Sequence, residues 1–199
     1  MHRSSYQKMQ YFKETYLNPN DELKILDIGS FDKDGNYNYG LILNENKWTY
    51  HGLDLREGNN IDIVVESPYD WKEVEDESYD LVITGQAFEH IEFFWLTLEE
   101  IKRVLKPGGL FFIIVPSTGP VHKNPYDCYR FNDDAMKAMA KYINFNVIEY
   151  GTNFDKISDP WYDSFLVARK PASTSVDELN NRLDLMEHKV DLIISKLKK

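Results

Sequence analysis

The sequence predicts an α/β fold, a largely parallel sheet with helices on both faces. Three observations point there. Short apolar runs alternate with longer amphipathic segments, the pattern of strands joined by crossover helices. One apolar run opens straight into a loop rich in glycine and asparagine, "KILDIGSFDKDGNYNYG" from Lys24 to Gly40. The chain has 199 residues, 42% of them hydrophobic, which suits one domain with a two-sided core.

Taken in order, the strand segments are Lys24–Gly29, Thr49–Leu55, Ile61–Glu66, Tyr79–Gly85 and Gly109–Pro116. Before the last of these, Phe94, Leu98, Ile101 and Leu105 recur at helical spacing, and Pro107-Gly108-Gly109 ends that helix. The stretch "STGPVHKNPYDCYRF" is too rich in proline and polar residues for regular structure. A helix follows from about Asn132 to Tyr142, and then "FNVIEYG" and "SFLVARK" pair as an antiparallel hairpin, bringing the strands to seven. The domain therefore runs over residues 1–170. Residues 171–175 form a linker, and 176–199 a C-terminal coiled-coil helix. Ser175 and Glu178 have capping-box spacing, and Val176, Leu179, Leu183, Met186, Val190, Ile193 and Leu197 alternate steps of three and four. That seam predicts a homo-oligomer, the alternative being an amphipathic helix folded back on its own domain.

Charge and cysteine use narrow the function. Net charge is -10, with 33 acidic against 23 basic residues and no basic stripe in the body of the chain, so nucleic acid is not the expected partner. One cysteine, Cys128, excludes a disulfide framework and fits a reducing compartment. No apolar run is long enough to span a membrane, and "MHRSSYQKMQYFKETYL" lacks the apolar core of a signal peptide. The expectation is a cytoplasmic protein.

The glycine loop is not built for phosphate. A dinucleotide turn needs G-x-G-x-x-G, whereas Gly29 is followed by Ser30, Phe31 and Asp32, with the next glycine at Gly35. Asp32 and Asp34 would repel an anion, and no Lys-Ser or Lys-Thr pair follows. A ligand without phosphates, carrying positive charge, suits the loop better.

At this point the chain resembles the class I S-adenosylmethionine-dependent methyltransferases, over roughly residues 24–170. Four segments carry the likeness in the family's order: "LDIGS", "GLDL", "YDLVITGQAFEHI" and "EEIKRVLKPGGLFFIIVP". The resemblance implies a Rossmann-like sheet whose seventh strand is antiparallel, with S-adenosyl-L-methionine as cofactor. It places Asp27, Gly29 and Ser30 at the cofactor's methionine part and Asp54, with Leu55, at the ribose hydroxyls. Glu66 and Ser67 fall near the adenine, and Gly85 and Gln86 flank the cofactor. The family's second glycine is replaced by Phe31, and Glu66-Ser67 stands where aspartate is commoner.

Methyl transfer to an alcohol requires loss of a proton, so a base is wanted within reach. Of five histidines, His2 lies near the terminus, His51 within a strand and His188 in the tail, which leaves His122 first and His90 second as catalytic candidates. His122 shares its loop with Tyr126, Asp127, Tyr129 and Arg130, a mixture suited to binding a polyhydroxylated acceptor. The alternative for Asp127 and Arg130 is an internal salt bridge that shapes the loop. The loop is similar to one in methyltransferases of glycan and surface-polysaccharide pathways, which implies a sugar or nucleotide-sugar as the small-molecule acceptor. No metal site is expected, since no ligand spacing stands out; His122, Asp127 and a carboxylate of the "EH" pair are the only set considered. Other readings stay open: another small-molecule N- or O-methyltransferase, a nicotinamide oxidoreductase, or a non-catalytic scaffold.

Overall fold

A computed structural model describes residues 3–33, 35, 37–152 and 161–172. The predicted seam of residues 176–199 lies outside the described residues. Seven strands form one sheet: β1 Leu23–Ile28, β2 Trp48–Asp54, β3 Ile63–Val64, β4 Tyr79–Gly85, β5 Leu105–Pro116, β6 Asn146–Thr152 and β7 Asp163–Arg169. Their spatial order is β3-β2-β1-β4-β5-β7-β6. Strands β1 to β5 run parallel, and β7 lies antiparallel to both β5 and β6. The chain builds outward from β1 on one side and from β4 on the other. The carboxyl ends of β1 and β4 therefore diverge into opposite connections, the place where open α/β sheets bind ligands.

Alternation along the strands fills both faces. On β5, Phe111, Ile113 and Val115 enter the core shared with helix α2 (Phe94–Val104) and helix α3 (Asp133–Tyr142). Leu110, Phe112 and Ile114 point the other way, against helix α1 (Arg3–Tyr16) and the 3-10 turn Tyr39–Leu41. Central parallel strands covered on both faces read as continuous apolar runs, which is why they were legible. Helix α2 buries Thr97, Leu98, Ile101 and Val104, one stripe at helical spacing. Helix α3 starts where Asn132 Oδ1 accepts from the Asp134 and Ala135 N–H groups, each at 3.1 Å, with Asp133 and Asp134 in its positive first turn. No helix among the described residues is long and apolar enough to cross a membrane.

Three boundaries differ from the sequence expectation. Helix α2 stops at Val104, and Leu105 opens β5 by pairing with Tyr79. The register then jumps to Leu81↔Leu110, so Pro107 sits in an irregularity where its missing N–H breaks no ladder bond. Strand β3 keeps only two residues because it is an edge strand paired with β2 alone. Helix α1 was not anticipated. It has no acidic residue in its first turn and a polar average, yet Ser4, Ser5, Met9 and Phe12 are buried. Phe12 stacks on Phe112 with ring centroids 4.2 Å apart and planes 7° from parallel.

That stack fixes α1 to the sheet. Phe12→Ala is expected to lower unfolding stability by about 3–5 kcal/mol, read from urea denaturation midpoints at unchanged slope.

Candidate active site

The carboxyl edge of the sheet brings the sequence-predicted residues together around the β1–β4 divergence. Gly29 leaves β1 with φ +72°, and a Cβ there would lie 2.6 Å from the Ala87 Cβ. Only glycine allows the turn after β1 to rest on the turn after β4. The Gly29 and Ser30 N–H groups both donate to Leu53 O, at 2.9 and 3.2 Å. Ser30 Oγ meets Tyr50 Oη at 3.2 Å, donates to Asn60 O at 3.1 Å and also receives Asn60 Nδ2. Ser30 is thus engaged in tying the β1 loop to the β2–β3 loop. Asp32 has a similar job, accepting from Tyr37 N and Asn38 Nδ2.

Asp27 is buried beneath this turn and accepts from the Tyr50 hydroxyl. Burial pushes its carboxyl up to about 7, against the lowering effect of the Tyr50 and Ser30 hydroxyls. Asp54 ends β2, its Oδ1 accepting the Leu55 N–H at 2.8 Å and facing Arg56 at 3.8 Å. The Leu55 side chain is exposed, as is Glu66. Ser67 Oγ accepts from Tyr69 N and shapes a local turn.

Beyond β4 the backbone is strained. Gln86 has φ +59° although it is not glycine. Its N–H donates to Ile114 O and its Nε2 to Asp163 Oδ1, while Oε1 is buried with no hydrogen-bond donor. Just before it, the Tyr39 ring lies on Gly85, where an added Cβ would come within 2.0 Å of the Tyr39 hydroxyl oxygen.

The 3-10 turn Phe88–His90 then delivers a carboxylate and an imidazole. Glu89 is wholly buried, and neither carboxylate oxygen has a hydrogen-bond partner. Burial raises its carboxyl to about 8. His90 Nδ1 lies 2.6 Å from Tyr126 O and His90 Nε2 lies 3.7 Å from Glu89 Oε1. From the loop after β5, His122 Nε2 lies 3.9 Å from the same Oε1, and the two imidazole centroids are 4.8 Å apart. Burial, followed by the neighbouring His90, lowers the His122 pKa, so its ring is held neutral. Trp161 packs edge-on against His122 at 4.6 Å.

Asp127 and Arg130, candidates for the acceptor from the sequence, are bound to each other, as the alternative of a loop-shaping salt bridge has it. Arg130 Nη1 and Nη2 donate to Asp127 at 2.6 and 3.0 Å, and Asp127 Oδ2 also accepts the His122 N–H at 2.7 Å. The Arg130 guanidinium holds the Asp127 carboxyl well below the usual carboxylate range. Tyr129 Oη donates to Glu92 O, whereas Tyr126 is half exposed. One ligand atom each of Glu89, His90 and His122 falls within 4.8 Å of the others, a grouping that no ligand spacing in the sequence marks. Sequence reasoning placed a carboxylate of the Glu-His pair with His122 but joined them to Asp127 rather than to His90. It also missed Tyr39, Tyr50 and Asp163, which no local pattern marks.

The acceptor-rich character of this edge tests the fit of a cofactor. Gln86 Oε1 and the Glu89 oxygens lack donors, and Asp27 and Asp54 stand nearby at the ends of β1 and β2. A ligand bearing an ammonium, a sulfonium and ribose hydroxyls supplies what these acceptors lack; a pyrophosphate does not.

The raised Asp27 carboxyl has a consequence for stability. Below pH of about 4 both folded and unfolded chains hold its proton; between about 4 and about 7 only the folded chain does. Its contribution to stability is therefore present at low pH and is lost as pH rises through about 7. Asp27→Asn is expected to remove a slope of up to about 1.4 kcal/mol per pH unit across that window, read as the difference between the two proteins' urea stabilities.

Comparison with known proteins agrees with this fold. Residues 35–113 match the family model described as "Methyltransferase domain". A demethylmenaquinone methyltransferase of Staphylococcus haemolyticus (strain JCSC1435) is 32% identical over 96 residues, which are 45% of this chain and 38% of that protein. The match therefore spans well under half of that relative's length. The Burkholderia thailandensis 1,6-didemethyltoxoflavin-N1-methyltransferase, solved with 1,6-didemethyltoxoflavin and S-adenosylhomocysteine, superposes with a TM-score of 0.66 at 13% identity, covering 84% of this chain and 79% of that one. A chain from the Haloferax volcanii complex of the Trm112 methyltransferase activator with a putative methyltransferase gives 0.62 at 18% identity, over 85% and 90%. With the 3-2-1-4-5-7-6 sheet and its antiparallel β7, these matches show that the chain has the fold of these methyltransferases and that its residues 35–113 resemble a methyltransferase domain.

Proposed function

We propose that the protein transfers a methyl group from S-adenosylmethionine to a hydroxyl of a small polar acceptor, a sugar or nucleotide-sugar of the kind used in surface-glycan synthesis. The observation that carries the reading is the convergence of two imidazoles on a buried carboxylate beside the β1–β4 divergence. S-adenosylmethionine supplies a methyl carbon already activated by its sulfonium sulfur. The chain's own residues bind, orient and ionise. Asp54 accepts from the ribose hydroxyls, Glu66 from the adenine amine, and Gln86 Oε1 from a cationic donor. The Glu89–His90–His122 cluster promotes loss of the acceptor's hydroxyl proton, His122 foremost and His90 second. Tyr126 offers an exposed aromatic face to the acceptor's C–H surface. The heptad pattern of residues 176–199 supports self-association as part of the same proposal.

Transfer to an amine is the second reading, favoured by the likeness in fold to the toxoflavin-precursor N1-methyltransferase. A neutral amine needs no base before attack, so the histidines separate the two readings.

Calorimetry with S-adenosylhomocysteine is expected to show binding that Asp54→Ala weakens roughly 10- to 100-fold, the worth of hydrogen bonds to a charged group. Unchanged affinity in that variant counts against the cofactor assignment. With labelled cofactor and a panel of nucleotide-sugars, His122→Ala is expected to slow transfer by about 10²- to 10⁴-fold while S-adenosylhomocysteine affinity stays intact. Full-speed transfer by both His122→Ala and His90→Ala would favour the amine.

A further inference from the structure

We propose that Glu89, His90 and His122 form a binding site for one divalent transition-metal ion. Three features of the site converge on this. The ligand atoms already lie together: His90 Nε2 and His122 Nε2 stand 3.7 and 3.9 Å from Glu89 Oε1, and the three residues' ligand atoms fall within 4.8 Å of one another. Ligands around tetrahedral zinc, with bonds of about 2.0–2.2 Å, sit ~3.3 Å apart, so the two Glu89–histidine separations need to close by only about half an ångström and the widest separation in the cluster by up to about 1.5 Å.

The carboxylate lacks any other partner. Glu89 is fully buried, and both oxygens are without a hydrogen bond, an unsatisfied polar group of the kind that costs a fold stability. The Arg130 guanidinium, bound to Asp127 through both terminal nitrogens, favours the charged Glu89 carboxylate through space but gives it no hydrogen bond. Two neighbouring imidazoles in one small space, with no donor reaching the acid between them, are what a cation would organise.

The histidines are also aimed. His90 Nδ1 sits 2.6 Å from Tyr126 O, so its proton lies on that nitrogen and the Nε2 lone pair faces Glu89. His122 turns Nδ1 towards Asp127 Oδ2 at 3.6 Å, which leaves Nε2 on the Glu89 side. The Asp127–Arg130 clamp and the Asp127 bond to the His122 N–H hold that loop in place. Three protein ligands with one face open are the arrangement of a catalytic rather than a structural zinc site. The open face is on the histidine side, since the side chain of His122 is 34% exposed and that of Glu89 is not exposed at all. Two imidazoles and one carboxylate favour zinc, iron or manganese over magnesium or calcium. The purpose of the ion rests on the proposed function: it lowers the cost of ionising an acceptor hydroxyl whose oxygen completes the coordination, the proton passing to solvent water.

The test is a titration of the full chain, stripped with a chelator, with Zn²⁺ by calorimetry and with Co²⁺ by visible absorption. One ion per chain is expected, with cobalt bands of a low-coordinate nitrogen–oxygen site. Glu89→Gln, His90→Gln and His122→Ala are each expected to weaken binding by more than the roughly 10- to 100-fold lost when only a ligand's outer partner is removed. His188→Ala and Cys128→Ala should leave it unchanged. If Glu89→Gln fails to fold, His122→Ala carries the test, because that side chain is partly exposed. No Zn²⁺ binding, binding that survives loss of either histidine, or binding lost in His188→Ala overturns the proposal. S-adenosylhomocysteine is titrated into the same stripped protein. Its binding without any Zn²⁺ site sinks the metal and keeps the methyltransferase reading, and Zn²⁺ binding without S-adenosylhomocysteine does the reverse.

Discussion

The contact on which the rest of the molecule depends is the turn after β1 lying directly on the turn after β4. Gly29 and Ala87 approach so closely that no side chain fits between them. This seating sets the depth of Asp27 below the edge and the angle at which the chain leaves β4. From there Gln86 takes its left-handed conformation, and the short helical turn presents Glu89 inward and His90 outward. Tyr39 lies on Gly85 from the opposite side, so the carboxyl end of β4 is gripped between two loops. Sheet hydrogen bonds alone would hold the strands in register; this packing makes their ends a site.

The polar groups of the molecule are unevenly satisfied. On one flank of α2, Arg103 donates to Glu100, Asp76 and the carbonyls of Val74 and Trp71, a fully paired network that links the helix to the loop before β4. The carboxyl edge is the contrast. There two buried carboxyls are held near neutrality by desolvation, and Gln86 Oε1 and both Glu89 oxygens go without donors. Such groups reduce stability wherever nothing binds them. Their concentration at a single edge, beside the one strained non-glycine residue of β4's exit, is the physical signature of a place kept for a ligand.

Much of this architecture was legible in the amino-acid order, and the exceptions have physical causes. β1, β4 and β5 announced themselves because strands covered on both faces must be apolar throughout. The helix expected from about Asn132 to Tyr142 is α3, whose first turn the structure shows capped by the Asn132 side chain. Helix α1 escaped notice because its burial depends on distant partners: Phe12 finds Phe112, and Ser4 donates to Asp163, 159 residues away. Leu105 has the periodicity of α2 but is taken by Tyr79 on the neighbouring strand. In the site, the adjacency of Glu89 and His90 and a meeting of a carboxylate of that pair with His122 were visible, but that His90 and not Asp127 completes the cluster was not. Burial of a glutamate cannot be read from a pattern that marks it only as polar.

The clamp in that loop changes what the acceptor site is made of. With Asp127 and Arg130 bound to each other, the charges that suggested hydroxyl recognition shape the backbone instead, and Tyr129 is tied to Glu92 O. What remains near the two histidines is aromatic: Tyr126 is half exposed, and Trp161 lies against His122 and within 5.7 Å of the Arg130 guanidinium carbon. Aromatic faces recognise C–H surfaces and planar rings with little orientational demand. Discrimination among acceptors then falls to the few polar atoms that are both uncommitted and aimed, the Glu89–His90–His122 centre above all. On the proposed function, an acceptor would be selected there by whether it can place one ionisable oxygen or nitrogen on the cluster while its remaining surface rests on the rings, a requirement of position rather than of many matched hydrogen bonds.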